Sequence, residues 1–142
     1  MWTVLIAHHD GAFAEQLSAE LRIAGYRIID CSGPWPPAER CIRCDKGYCP
    51  LTESADLMIY DPRMTAVDTT GLRHNLAIDS AQAHPEVPML LAWPPDQVPD
   101  AGTLRAIRVA APNVHVAATT PEGRSRQVHE LITAAHTAEA LL

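Results

Sequence analysis

The sequence lacks the surplus of basic residues that is typical of proteins that bind nucleic acids or anionic membranes. It carries 11 Lys and Arg against 17 Asp and Glu, which gives a formal net charge of −6 at pH 7. A negative surface repels polyanions, so both classes of ligand are disfavoured. We therefore expect protein or small-molecule partners and neither nucleic acid nor membrane, with a homodimer as one candidate assembly.

Long apolar runs and the common catalytic motifs are also missing. The apolar start, residues 1–7, is short, has no basic residues before it and is followed by His8, His9 and Asp10, unlike a signal peptide or a membrane span. The sequence contains no H-E-x-x-H, G-x-S-x-G, P-loop or G-x-G-x-x-G pattern. These absences predict a cytoplasmic protein that is not an enzyme.

Short apolar runs alternate with amphipathic segments along the whole chain. The runs suit strands that are buried on both faces of a parallel sheet, and helical apolar spacing marks the segments between them. The predicted strands are 3–7, 26–30, 55–60, 88–93 and 114–118, and the predicted helices are 12–24, 71–83, 101–111 and 122–142. This alternation predicts a single α/β domain over residues 1–142, with right-handed crossovers and helices on both faces of the sheet.

Several local sequences, taken in their order and spacing, resemble the receiver domain of bacterial response regulators. The matching stretches are Leu17 and Leu21 with Gly25-Tyr26, the run 56–61 that ends in Asp61, Met64 and Asp68 beyond it, residues 88–91, and Thr120-Pro121 where the family has Lys-Pro. The resemblance covers essentially the whole chain. It implies a flavodoxin-like, doubly wound sheet of five parallel strands and a role in two-component signal transduction.

The resemblance also implies a phospho-acceptor pocket, here made of Asp10, Asp61, His9, Trp93 and Thr120. Receivers hold Mg²⁺ with paired acids, and a Ser/Thr and a lysine contact the transferred phosphoryl group. In this chain His9 replaces one acid, Ala92 or Trp93 occupies the Ser/Thr position, and Thr120 occupies the lysine position. We therefore expect weak or absent Mg²⁺ binding and a degraded phosphorylation site at Asp61.

All four cysteines fall close together, as Cys31, Cys41, Cys44 and Cys49. They lie in a Cys- and Pro-rich loop, residues 31–50, where a receiver has its second helix. The C-x2-C pair followed by Gly47 has the spacing of a metal knuckle, and the two outer cysteines would complete a set of four thiolate ligands. The sequence thus predicts a metal centre or a redox-sensing thiol cluster in this loop.

The spacing alone does not identify what the cysteines bind. Zinc is favoured because it commonly organises irregular loops, whereas the Cys49-Pro50 pair is typical of iron–sulfur loops. Reversible disulfides and unligated thiols stay open as well, and Cys31 alternatively serves as a small buried apolar residue. Arg40, Arg43 and Lys46 interleave with the thiols and are expected to lower their pKa values.

One interpretation accounts for both the altered pocket and the cysteines. It is a pseudo-receiver, a regulatory module that acts through protein contacts and uses the four-cysteine loop as its input. An alternative is a conventional receiver that is phosphorylated at Asp61 and carries a merely structural zinc loop. A second alternative is a small redox or electron-transfer protein of flavodoxin-like fold that uses the cysteines directly.

Overall fold

A five-stranded parallel sheet forms the centre of the computed structural model, which describes residues 1–34 and 40–140. The strands are β1 (Thr3–Ala7), β2 (Arg27–Cys31), β3 (Leu57–Tyr60), β4 (Thr65–Val67), β5 (Arg73–Asn75), β6 (Met89–Leu91) and β7 (Val114–Val116). The helices are α1 (Gly11–Ile23), α2 (Ile42–Lys46), α3 (Pro50–Glu53), α4 (Leu76–Ala83), α5 (Ala101–Ala110) and α6 (Pro121–Ala140). The main sheet has the order β2-β1-β3-β6-β7. This is the flavodoxin-like doubly wound order, so the predicted fold class is confirmed.

The three inner strands consist of buried residues throughout. β1 reads Thr-Val-Leu-Ile-Ala, β3 reads Leu-Met-Ile-Tyr and β6 reads Met-Leu-Leu, and every one of these residues is buried. Parallel strands covered by helices on both sides favour such continuous apolar runs. β2 lies at an edge of the sheet and is partly exposed, which agrees with its mixed sequence Arg-Ile-Ile-Asp-Cys.

Apolar side chains fill a layer on each face of the sheet. On one face, α1 and α6 contribute residues such as Leu17 and Val128. On the other face, Leu76 of α4 and Ile107 of α5 belong to the second layer. Three cysteines pack against this second layer, namely Cys31, Cys41 and Cys44. The cysteine segment, residues 40–50, therefore covers the same face of the sheet as α4 and α5.

The strand register aligns the carboxyl ends of β1, β2 and β3. Ala7 pairs with Cys31 on β2 and with Tyr60 on β3. His8 and Asp61 are the next residues, and the Asp61 N–H donates to the Ala7 carbonyl at 2.8 Å. Both residues thus follow the carboxyl ends of neighbouring strands, which is where open α/β sheets bind ligands.

Residues 71–83, predicted as one helix, adopt two different structures. The first part belongs to a short antiparallel hairpin of β4 and β5, and α4 begins only at Leu76. The Asp68 carboxylate accepts hydrogen bonds from two N–H groups of the hairpin turn, and Gly71 there takes a positive φ of 85°. The Asn75 side chain then caps α4. Bonds from side chains to the backbone prevail here over the helical periodicity.

The cysteine segment is more regular than the irregular loop that its sequence predicts. It holds the short helices α2 and α3, and Cys41 and Cys49 are the residues that precede them. Gly47 ends α2 in the left-handed region at φ 80°, and Pro50 begins α3 at a position where its missing N–H costs nothing. Residues 35–39 of the predicted 31–50 loop lie outside the described residues.

The remaining predicted elements are present, with boundaries that shift by a few residues. α1 begins behind Asp10, whose Oδ1 accepts a hydrogen bond from the Phe13 N–H at 2.9 Å. α6 is the longest described helix, at 20 residues. Among the helices that the structure describes, none is both long and apolar enough to cross a membrane.

Candidate functional site

Two polar side chains are buried where β1 and β3 end. His8 follows β1 and is 1% exposed, and Asp61 follows β3 and is 2% exposed. His8 Nδ1 lies 3.6 Å from Asp61 Oδ2. An imidazole and a carboxylate that are buried together at the ligand-binding edge of the sheet form the first candidate site.

Two backbone groups hold His8 in its neutral form. Its Nδ1 accepts a hydrogen bond from the Asp10 N–H at 3.0 Å, and its Nε2–H donates to the Ala92 carbonyl at 3.0 Å. An imidazole that accepts at Nδ1 carries its only ring proton on Nε2. Burial lowers the pKa of His8 and outweighs the opposing attraction of Asp61. His8 therefore lies beside Asp61 without neutralising its charge.

Arg63 supplies the positive charge next to Asp61. Its backbone N–H donates to Asp61 Oδ1 at 2.9 Å, and its Nε donates to the same oxygen at 3.4 Å. Its Nη2 donates to Gln97 Oε1 at 2.6 Å, and Gln97 Nε2 donates to Asp10 Oδ2 at 3.4 Å. Through Arg63 and Gln97, the two acids of the predicted pocket belong to one hydrogen-bonded network.

The other three residues of the predicted pocket make separate contacts. Thr120 caps α6, because its Oγ1 accepts from the Gly123 N–H at 3.1 Å. Trp93 lines a different cavity, of about 390 Å³. His9 lies against the backbone of Gly33, where an added Cβ atom would come within 2.7 Å of His9 Nε2. The described contacts thus connect Asp10 with Asp61, and the pocket of five residues stays a prediction.

The sequence prediction does not include Arg63 or Gln97. A local signal exists for Arg63, which stands two residues after Asp61, the spacing of a side-chain-to-backbone turn. His8 is expected at this end of the sheet, because it is the first residue after the buried strand β1. Gln97 reaches Arg63 across 34 positions of the chain, and no local pattern predicts such a contact.

A second candidate site lies on the face of the sheet that α4 and α5 cover. Its centre is a cavity of about 400 Å³, whose described lining is mostly apolar and includes Cys31, Cys41, Cys49, Arg43 and Tyr60. The three thiols come from the end of β2 and from the residues that precede α2 and α3. The structure therefore places three of the four predicted ligands along the lining of one cavity.

Cys44 lies beside Cys41 but outside the described lining of this cavity. Burial raises the pKa of the Cys44 thiol to about 11, and the neighbouring Cys41 adds to the effect. Burial likewise raises the pKa of Cys31. The expectation that basic neighbours lower thiol pKa values is therefore wrong for these two cysteines. Arg40 is instead paired with Asp45, at 2.7 Å.

The four thiols are not gathered around one point. Across residues 1–34 and 40–140, no three side chains of His, Cys, Asp or Glu are arranged to hold a metal ion. The metal centre of four cysteines accordingly stays a prediction.

Arg43 is a buried cation with an incomplete set of partners. It is 8% exposed, and its Nη2 donates to Thr52 Oγ1 at 2.5 Å. Thr52 Oγ1 also donates to the Cys49 carbonyl at 2.9 Å and contacts His84 Nε2 at 3.1 Å. Within the part of the chain that the structure describes, Arg43 Nε has no hydrogen-bond partner and no carboxylate pairs with the guanidinium. A buried charge of this kind favours a negatively charged group close by.

The whole architecture recurs in receiver domains of known structure. A receiver domain protein of Methanospirillum hungatei superposes with a TM-score of 0.63 over 97% of this chain and 98% of that chain, at 12% sequence identity. A receiver domain protein of Clostridium thermocellum gives a TM-score of 0.61 over 99% of this chain and 98% of that chain, at 14% identity. The chain has the receiver fold.

This receiver-like domain is also similar in fold to a pilus assembly-related protein of Burkholderia pseudomallei. The TM-score is 0.61 over 94% of this chain and 90% of that chain, at 21% identity. No protein-family model matches the sequence, and no curated protein does. The likeness to these proteins therefore extends to the fold alone.

Proposed function

We propose that this receiver-like domain is a signalling module that regulates a protein partner without phosphorylation at Asp61. The observation that carries the proposal is the internal cation, because Arg63 contacts Asp61 Oδ1 through its backbone N–H and its guanidinium. In a phosphorylated receiver, Mg²⁺ and a lysine supply positive charge at this place. Here the chain itself supplies that charge, and the carboxylate is already hydrogen-bonded.

The residues at the phosphoryl-contact positions support the same proposal. Neither Ala92 nor Trp93, the two candidates for the Ser/Thr position, offers an aliphatic hydroxyl group, and the Ala92 carbonyl accepts the hydrogen bond from His8. Thr120 carries no charge and uses its Oγ1 to cap α6. Phosphoryl transfer depends on positioning and charge neutralisation, so the loss of both contacts disfavours it.

The input that we propose is a metal centre or redox-sensitive cluster at the four cysteines, Cys31, Cys41, Cys44 and Cys49. A change of ligation there would alter how α2 and α3 pack on the sheet. The same change would reach Asp61, because the His8 N–H donates to the Cys31 carbonyl at 3.0 Å. The cysteine segment thus takes over the switching role that phosphorylation has in receivers.

The output that we propose is contact with a protein partner, in the cytoplasm. Two valines near α5 are strongly exposed, Val98 by 80% and Val109 by 81%. Exposed apolar side chains on a chain with a net charge of −6 suit a protein partner better than a nucleic acid. A second copy of the chain is one such partner.

The test of the proposed function is a phosphorylation assay read by intact mass. The purified chain is incubated with an excess of a small-molecule phosphodonor and Mg²⁺, beside a conventional receiver that confirms the activity of the donor. We expect the conventional receiver to gain a phosphoryl group and this chain to keep its mass. Stoichiometric phosphorylation that disappears in Asp61→Asn would overturn the proposal and favour the conventional receiver.

A further inference from the structure

One cation lies at the wall of the apolar cavity without a negatively charged partner. Arg43 lines this cavity and is 8% exposed. Its side chain donates a hydrogen bond to Thr52, which is a neutral residue. Within residues 1–34 and 40–140, no carboxylate pairs with the guanidinium, and its Nε has no hydrogen-bond partner. Because a buried charge without a counter-charge is costly, the cavity favours an anion beside Arg43.

The rest of the described lining is mostly apolar. Leu5 and Met64 are each 1% exposed, and Leu76 is 4% exposed. Cys31 belongs to this apolar lining, because burial raises the pKa of its thiol and a protonated cysteine behaves as a small apolar residue. A lining of this kind binds the apolar body of a ligand, and the cavity volume of about 400 Å³ is large enough for a small molecule.

A pair of hydroxyl groups adds a hydrogen-bond donor to the same lining. Tyr60 and Ser80 both line the cavity, and their hydroxyl oxygens are 2.7 Å apart. Only one of the two hydroxyl hydrogens is used in the bond between them. The other hydrogen is available to an oxygen atom of a ligand. The polar groups of the cavity are thus one cation and one hydroxyl donor, in an otherwise apolar lining.

We propose that this cavity binds a small apolar carboxylic acid in its ionised form, with the carboxylate beside Arg43 and the apolar body against Leu5, Met64 and Leu76. A single negative charge balances the single unpaired cation, and hydrogen bonds between a guanidinium and a carboxylate are among the stronger kinds. A neutral ligand would leave Arg43 uncompensated, and a dianion would bring an excess charge into the apolar lining. The inference goes beyond the proposed function and requires no metal at the cysteines.

The first test compares two ligands that differ in charge but share an apolar chain. Octanoate and 1-octanol are titrated into the reduced wild-type chain in the presence of a metal chelator, and binding is measured by calorimetry. We expect about one octanoate per chain, bound at least about tenfold more tightly than 1-octanol. Each methylene removed from octanoate should weaken binding by up to about fourfold. Equal affinity for octanoate and 1-octanol, no saturable binding of octanoate, or binding that appears only with added zinc would overturn the inference.

The second test assigns the charge preference to Arg43. Arg43→Gln should bind octanoate about tenfold or more weakly than the wild type while its affinity for 1-octanol stays the same. Arg40→Gln is the matched control, since Arg40 lines the same cavity but is paired with Asp45 at 2.7 Å, and it should bind octanoate like the wild type. Equal losses in the two variants would show that net charge governs binding and would overturn the role of Arg43.

Arg43→Lys keeps the test valid if Arg43→Gln fails to fold, as judged by far-ultraviolet circular dichroism. This variant retains the positive charge and should keep most of the preference for octanoate over 1-octanol. A complete loss of the preference in a folded Arg43→Lys chain would contradict a role for the charge.

This inference and the proposed function can fail separately. A chain that does not bind octanoate and whose Asp61 stays unmodified overturns the cavity ligand and leaves the phosphorylation-independent module standing. A chain that binds octanoate and is phosphorylated at Asp61 overturns the proposed function alone.

Discussion

The backbone N–H of His8 donates to the carbonyl of Cys31 at 3.0 Å, which joins the two candidate sites. The side chain of the same histidine lies 3.6 Å from Asp61. One residue therefore contacts both Cys31 and the buried carboxylate, and we expect a displacement of Cys31 to move it.

The buried, neutral His8 predicts a stability that falls in acid. Burial lowers its folded-state pKa below the ordinary value of 6.5. Between these two pKa values the unfolded chain binds more protons at this residue than the folded chain, so acid favours unfolding. As the pH falls from the ordinary pKa to the lowered pKa, the free energy of unfolding decreases. The decrease due to His8 is at most about 1.4 kcal/mol per pH unit. Urea unfolding at about pH 7.5 and about pH 5.5 measures it.

A matched pair of variants isolates this contribution. His8→Asn removes the buried titrating group and should weaken the loss of stability in acid. His74 acts in the opposite sense, because its hydrogen bond to Asp68 raises the pKa of His74. The stability that His74 contributes is therefore present in acid and is lost as the pH rises through the raised pKa. His74→Asn should therefore steepen the loss in acid. Equal pH dependence of the wild type and His8→Asn would show that His8 does not cause the loss of stability in acid.

Removal of Arg63 should open Asp61 to divalent cations. In the wild type, the Arg63 guanidinium already contacts the Asp61 carboxylate at 3.4 Å and competes with a cation. Added Mg²⁺ should therefore leave the amide NMR signals of Asp10 and Asp61 unchanged. In Arg63→Gln the same titration should shift both signals, with a gain in Mg²⁺ affinity of about tenfold or more, equivalent to about 1.4 kcal/mol.

A surface arginine provides the control for net charge. Arg22 pairs with Asp30 at 3.9 Å, and both side chains are more than half exposed, at 60% and 52%. Arg22→Gln changes the charge of the molecule by the same amount but does not touch Asp61. Its Mg²⁺ titration should match that of the wild type. An equal gain in both variants would show that net charge, rather than the Arg63 contact, governs the site.

Gly33 should tolerate no larger residue, because it lies between β2 and the cysteine segment with a positive φ. Its φ is 80°, and an added Cβ would come within 2.7 Å of His9 Nε2 and 2.8 Å of Met64 Cε. We expect Gly33→Ala to cost about 2–4 kcal/mol, from backbone strain together with steric overlap. Gly25→Ala, at φ 100° with open space around the new Cβ, should cost only the strain, about 1–2 kcal/mol. Urea unfolding measures both variants. Equal losses of unfolding free energy in Gly33→Ala and Gly25→Ala would contradict the close packing at Gly33.

Several elements could be predicted from the sequence because their signals are local. β1 is a continuous apolar run, and α1 has a capping aspartate before it and a glycine with positive φ after it. The β4–β5 hairpin could not be predicted in the same way. Its turn depends on hydrogen bonds from the Asp68 carboxylate to the backbone, which compete with the helical spacing of residues 71–83.

The residues of the candidate sites also differ in whether a local sequence signal marks them. Asp61 and the cysteines can be singled out because a receiver-like context and a dense thiol spacing mark them. The burial of Arg43 cannot, because Arg40 and Lys46 nearby carry the same charge and are exposed. The contact of Gln97 with Arg63 joins distant parts of the chain, and only the fold brings them together.

In the proposed function the signal enters at the cysteines and not at Asp61. Native mass spectrometry of the chain purified without oxygen, before and after treatment with Mg²⁺ and a phosphodonor, tests both parts of this proposal on one sample. We expect a mass above that of the bare chain before treatment, from a bound inorganic group that Cys49→Ser loses, and no added phosphoryl group afterwards. A bare-chain mass that gains one phosphoryl group at Asp61 would contradict it.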